Sequence, residues 1–189
     1  MPVEQNRALS LTPPWPLAIL HLGKRIENRQ RWPGCPYRGP LWLHSAKGFG
    51  TKDDFEETVR QIEAIAKRTG QVAKMRGFFQ DGFLERKDGR IVPGPKMARG
   101  AIVGRAWVTG IAEGLSDKSG NTYVDVVGPP ALRRDMTSEE RVWWMGGFAL
   151  LLDRVELLLD PVPCVGALSI FRIPDDVLER CLAQLPANE

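Results

Sequence analysis

The apolar and polar positions of the chain fall into short alternating runs, broken once by a long amphipathic stretch. Thr51 to Arg68 carries the clearest period: Phe55, Val59, Ile62 and Ala66 recur at helical spacing and form one apolar stripe. Thr51 and Asp54 make a capping-box pattern at its start, and Gly70 stops it. Upstream, Ser10 to Pro16 is stiffened by three prolines, and Pro16 is suited to open a short helix that Gly23 ends. Lys24 to Arg29 reads as extended chain, residues 31–40 as a loop, and Leu41 to Ala46 as a strand. Downstream, residues 101–109, 123–127 and 167–173 read as strands. Thr137 and Glu140 repeat the capping-box pattern ahead of a helical turn. Phe148 to Leu159 fits helix or strand by period alone, but Gly147 before it and two prolines after it favour a strand or a bent strand pair. Pro174 opens a final helix that runs to about Leu185.

These elements amount to five or six short strands with helices before, between and after them. The expected architecture is α+β: one domain over residues 1–189 with a small, strongly curved mixed sheet or barrel and flanking helices. No internal repeat or second core is visible. No glycine-rich phosphate loop follows a strand, so dinucleotide and P-loop folds are not supported.

Length and composition agree with a single core. At 189 residues, with 43% apolar and 26% charged residues, the chain is an ordinary globular one. Its longest apolar run is five residues, 148–152, too short to span a bilayer. Residues 1–20 lack the basic start and apolar stretch of a secretory signal, so a cytoplasmic setting is expected. The three cysteines, Cys35, Cys164 and Cys181, have neither the number of a disulfide framework nor the spacing of a zinc site. With only His21 and His44 beside them, neither a protein-built metal site nor a cofactor is expected.

Charge changes the picture in one region. The net charge is +3. Between Gln71 and Arg99, however, seven cations (Lys74, Arg76, Arg86, Lys87, Arg90, Lys96, Arg99) face three acids (Asp81, Glu85, Asp88). This segment shows no clear period and is read as a basic loop of nearly thirty residues, either a solvated loop or a phosphate-facing surface.

The densest polar cluster is Lys24-Arg25-Ile26-Glu27-Asn28-Arg29. Alternation on an extended segment places Arg25, Glu27 and Arg29 on one face and turns Ile26 toward the core. Lys24 follows the turn at Gly23 and is free of that alternation. A carboxylate and a guanidinium two residues apart can pair and fix each other's geometry. Such a group is either a solvated strand with charge pairs or the polar pocket of a nucleobase or phosphate site.

Residues 8–47 are similar to the opening of ASCH domains, a family of the PUA-like barrel superfamily. The signature Gly-x-Lys-x-x-Glu-x-Arg is met at Lys24, Glu27 and Arg29 and followed by Trp32, Arg38-Gly39 and His44-Ser45-Ala46. Leu22 stands where the signature has glycine, and the glycine is displaced to 23. Residues 99–111 and 143–174 resemble the family's central and closing strands, and segments 71–99 and 115–142 are then insertions. The resemblance implies a PUA-like curved mixed β-barrel whose polar cleft, lined by Lys24, Glu27 and Arg29, suits RNA, single-stranded nucleic acid or a nucleoside. With no apolar run long enough to span a bilayer, no membrane partner is expected. Ser45 and Lys47 are expected to close the strand beside that cleft, and Trp15 and Trp32 to flank it where they can stack on a base. A subset of the family, similar to N4-acetylcytidine amidohydrolases, uses a catalytic lysine with a threonine three residues on. Lys24 matches the lysine, and Glu27 stands in place of the threonine. If the chain is an enzyme, Lys24 and Glu27 are its catalytic candidates, acting on a modified nucleoside or, as a ribonuclease, on RNA.

Overall fold

In the computed structural model, residues 6–30, 37–116, 122–127 and 136–186 are described. Among them one curled sheet carries most of the chain. Its strands are β1 (Arg7–Leu11), β2 (Ile26–Arg29), β3 (Gly39–Ser45), β6 (Ala101–Ser116), β7 (Thr122–Val127), β8 (Phe148–Pro163) and β9 (Ile170–Arg172). The order is β2-β8-β6-β3-β1-β9, with β7 paired to β6. A separate hairpin joins β4 (Leu84–Lys87) to β5 (Arg90–Pro93). The helices are α1 (Trp15–His21), α2 (Lys52–Arg68), α3 (Val72–Gln80), α4 (Ser138–Arg141) and α5 (Asp175–Leu182). The fold is thus a mixed α+β structure around a six-strand half-barrel.

Two long strands make the curl. β6 and β8 each run for 16 residues and pair antiparallel from Ala101↔Pro163 to Glu113↔Phe148. The register shifts three times along this ladder, and each irregularity adds local twist. At Gly104 a Cβ would fall 2.6 Å from the Glu156 carbonyl oxygen and 2.6 Å from Leu20 Cδ2, so the close approach of β8 and α1 requires glycine. With β8 along one edge of β6, β3 and β7 share the other, pairing with its first and last parts.

β3 lies inside the sheet, and its run Leu41-Trp42-Leu43 is buried on both faces. Leu41 and Leu43 join Leu9, Ile19, Val108, Ile111 and Leu150, with α1 over them. Trp42 joins Ile102, Leu158, Val162 and Val177 beneath α5. A third cluster packs Phe55, Val59 and Ile62 of α2 with Leu22, Ile26 and Trp143.

The helix over 52–68 forms as its period predicts. Thr51 Oγ1 accepts from Asp54 N, and Asp54 Oδ2 accepts from Thr51 N. The capping box at Thr137 and Glu140 is present too. Two expectations are corrected. The strands are not all short, because β6 and β8 bend through their irregularities instead of breaking at Thr109 and Leu159. Residues 71–99 are not a loop: they form α3 and the β4–β5 hairpin and pack Met75, Phe78, Leu84 and Ile91 against α2. Segment 115–142 carries β7 and α4, with residues 117–121 and 128–135 outside the described part. No described helix is long and apolar enough to cross a membrane.

Candidate functional site

The charged trio is assembled by the end of α1 and the start of β2. α1 closes at Leu22, and Gly23 takes φ +68°, a backbone that favours glycine. Leu22 N and Lys24 N both donate to Ala18 O, at 3.0 and 3.1 Å. Arg25 Nη1 donates to Ile19 O at 2.9 Å, so side chain and backbone together cap the helix carbonyls. β2 then pairs antiparallel with β8, placing Glu27 opposite Leu150 and Arg29 opposite Phe148.

The turn at Gly23 sends Lys24 inward, where it is 1% exposed. Its Nζ donates to Glu27 Oε2 at 2.7 Å and to Ile26 O at 2.5 Å, and stands 5.3 Å from the Trp15 ring centroid. Burial pulls its pKa below the ordinary lysine value, while the Glu27 carboxylate opposes the shift. Glu27, itself 8% exposed, reaches Arg29 Nη2 at 3.5 Å through Oε1. Arg29 is the member that meets solvent, with 28% of its side chain exposed. Its Nη2 is buried and has the Glu27 contact but no well-formed hydrogen bond. The arrangement is a relay from a dry amine through a carboxylate to a half-open guanidinium.

Asn28 faces the other way and fixes the neighbouring chain: Nδ2 donates to Trp143 O at 2.9 Å, and Oδ1 accepts from Met145 N at 3.0 Å. Behind it Gly147, at φ +71°, lies so close that a Cβ would fall 2.7 Å from Arg29 O. Asn28 was legible only as one letter of the polar cluster. Alternation alone would have set it apart from Glu27 and Arg29 as the residue looking toward a different partner.

The other expected site residues divide. Trp15 lies beside Lys24, half-buried. Trp32, like Cys35, is outside the described residues. Ser45 and Lys47 are not neighbours of the trio, because β3 pairs with β1 and β6 while β2 pairs with β8. Ser45 is opposite Ala101, whereas Glu27 is linked through Leu150 to Ile111, ten positions further along β6. Ser45 is buried, donates to Ala98 O at 2.7 Å, and lines an apolar cleft of about 320 Å³ with Leu17, Phe83 and Leu158. Lys47 is exposed. Arg25 also leaves the expected face: its guanidinium turns back to α1 and lines a wider cleft of about 770 Å³ with Gln71, Thr109, Trp143 and Asp153. β2 begins only at Ile26, so strand alternation does not bind it.

Both histidines serve the interior. His44 is buried, with Nε2 3.0 Å from Cys164 O and Nδ1 2.9 Å from Ser10 Oγ. A carbonyl only accepts, so Nε2 carries the proton and Nδ1 accepts from the serine. His21 packs edge-on against Phe78, with ring centroids 5.7 Å apart. Burial lowers the pKa of each. Among the described residues no group of three His, Cys, Asp or Glu side chains is placed to hold a metal ion. No protein-family model matches the chain, and no curated protein sequence matches it significantly.

Proposed function

We propose that the chain binds RNA or a nucleotide through the polar site at Lys24, Glu27 and Arg29, as the resemblance to ASCH domains and their PUA-like barrel implies. The observation that carries this reading is the relay itself. Lys24 and Glu27 lock each other and hold Arg29 in place with 28% of its side chain open to solvent, an arrangement suited to a phosphate or a base carbonyl. Trp15, half-buried with Lys24 Nζ 5.3 Å from its ring centroid, is an aromatic of this site on which a base could stack. Fluorescence anisotropy with single-stranded and duplex RNA and DNA at low salt tests the reading. RNA binding that falls steeply with salt is expected, with Arg29→Ala weakening it by more than the loss of one phosphate contact explains. Absence of binding to every one of these nucleic acids ends the proposal.

A second reading, hydrolysis of a modified nucleoside or of RNA, draws on a different observation. A buried lysine with a lowered pKa, in contact with a carboxylate, has the form of an amine prepared to take a proton, with Glu27 as the relay. Incubation with N4-acetylcytidine and with RNA, beside Lys24→Met, tests it. Turnover by the wild type and none by the variant is expected on this reading, and equal turnover removes Lys24 from the chemistry.

A further inference from the structure

The basic character of residues 71–99 is redistributed by folding. Arg90 pairs with Asp53 and Glu56 of α2, and Arg86 with Glu63 at 3.7 Å, so two of the cations are neutralised locally. Asp54 is held in the capping box on Thr51 and keeps its charge there. What this leaves is a cleft of about 360 Å³ between the start of α2 and the hairpin, lined by Phe49, Lys52, Lys87, Arg99 and one acid, Glu85. Lys52, Lys87 and Arg99 are exposed, and none has an ion pair with a described acid. The Arg99 guanidinium lies 5.5 Å over the Phe49 ring, which is itself braced edge-on by Phe55 at 5.3 Å. Lys47 adds a further cation beside Gly100.

Three cations without ion pairs, one of them an arginine guanidinium over an aromatic ring, match a flexible polyanion that carries flat rings: phosphates meet the cations and a base stacks beside the guanidinium. An acidic peptide would satisfy the charges and leave the stacking surface unused. The position of the cleft sets the length of the ligand. α2 ends beside the turn that precedes the trio, where Gln71 Nε2 donates to Leu22 O, and begins at the cleft. Its 17 residues separate the two by about 25 Å at 1.5 Å per residue, which a stacked strand covers in about seven nucleotides at 3.4 Å each.

We propose that the Phe49–Lys52–Lys87–Arg99 cleft is a phosphate- and base-binding track for single-stranded RNA whose other end occupies the trio. The proposal rests on the RNA-binding reading above and turns it from a nucleotide site into one for an oligonucleotide. The test compares oligouridylates of four and twelve residues on wild type, on Lys52→Gln/Lys87→Gln/Arg99→Gln, and on the charge-keeping control Lys52→Arg/Lys87→Arg/Arg99→Lys. The twelve-mer should bind wild type and control more tightly than the four-mer. In the neutral variant it should lose about tenfold or more in affinity, and the log–log salt slope should shrink by about 2, from about 0.7 per phosphate contact. The four-mer, which can reach only one of the two regions at a time, should lose less affinity in the neutral variant than the twelve-mer does. A neutral variant that binds the twelve-mer as wild type does overturns the track and leaves the trio reading standing. Failure of the wild type to bind either length at low salt overturns both. A dodecaglutamate peptide that displaces the twelve-mer from wild type as well as unlabelled RNA does would make the cleft a surface for acidic peptides and overturn the RNA assignment.

Discussion

Lys24 lies where three local demands meet: the left-handed turn at Gly23, the need to cap α1, and a carboxylate three residues on. Removing the amine leaves Glu27 buried, with only the 3.5 Å Arg29 contact to offset it. Lys24→Met should therefore cost about 3–5 kcal/mol in urea unfolding, and Lys24→Met/Glu27→Leu should recover most of it, because replacing both partners removes the stranded charge. The pH dependence has a definite sign. Folding lowers the Lys24 pKa below its ordinary 10.5, so over the window between the folded value and 10.5 the unfolded chain holds more protons. The penalty of burying the ammonium is fully present below that window and relieved as pH rises through it. Wild-type stability measured against Lys24→Met should thus climb toward pH 10.5, and a falling difference would reverse the assignment. In the sequence, the types and spacing of Lys24, Glu27 and Arg29 were visible, and so was the possibility that they pair. Their burial was not, because a solvated strand and a buried relay share the same letters.

At the level of elements, what was legible depended on whether burial wrote a period into the sequence. α2 shows its stripe and both capping residues because one face is covered along its whole length. Thr51→Ala should remove about 1 kcal/mol of stability, read as a lower thermal midpoint with unchanged strand content, since the cap is exposed and touches no strand. The β4–β5 hairpin was missed although its turn was written plainly. Asp88 and Gly89 connect Lys87 to Arg90 with positive φ of 52° and 76°, the conformation that an Asp-Gly pair favours between strands. Only Leu84 of the four β4 residues is buried, so no alternation marked the strand. α3 hid in the same way, with Gly77 inside it and only Met75 and Phe78 buried. β6 and β8 were underestimated because their register shifts interrupt alternation without ending pairing.

Across the whole molecule, sequence order is a poor guide to adjacency in the sheet. Ser45 and Lys47 follow the trio by about twenty residues and were expected beside it, yet β3 is separated from β2 by β8 and β6. Neighbouring strands of a curved sheet are chosen by long-range pairing, which leaves no mark within a short window. The same topology puts two polar regions at opposite ends of α2. One is the buried relay, and the other is the cleft lined by Lys52, Lys87 and Arg99 beside the ion pairs that Arg86 and Arg90 make with α2.

The pairing of β2 also determines when the relay comes into being. Its only sheet partner among the described residues is β8, so Glu27 and Arg29 wait for Leu150 and Phe148, more than a hundred residues later in synthesis. On a ribosome, β1, α1, β3 and β6 can already be joined while Lys24 still lacks its wall. Closing so large a loop carries an entropic cost, which the long β6–β8 ladder helps to offset. The burial of the relay thus depends on a pairing that closes more than a hundred residues of chain.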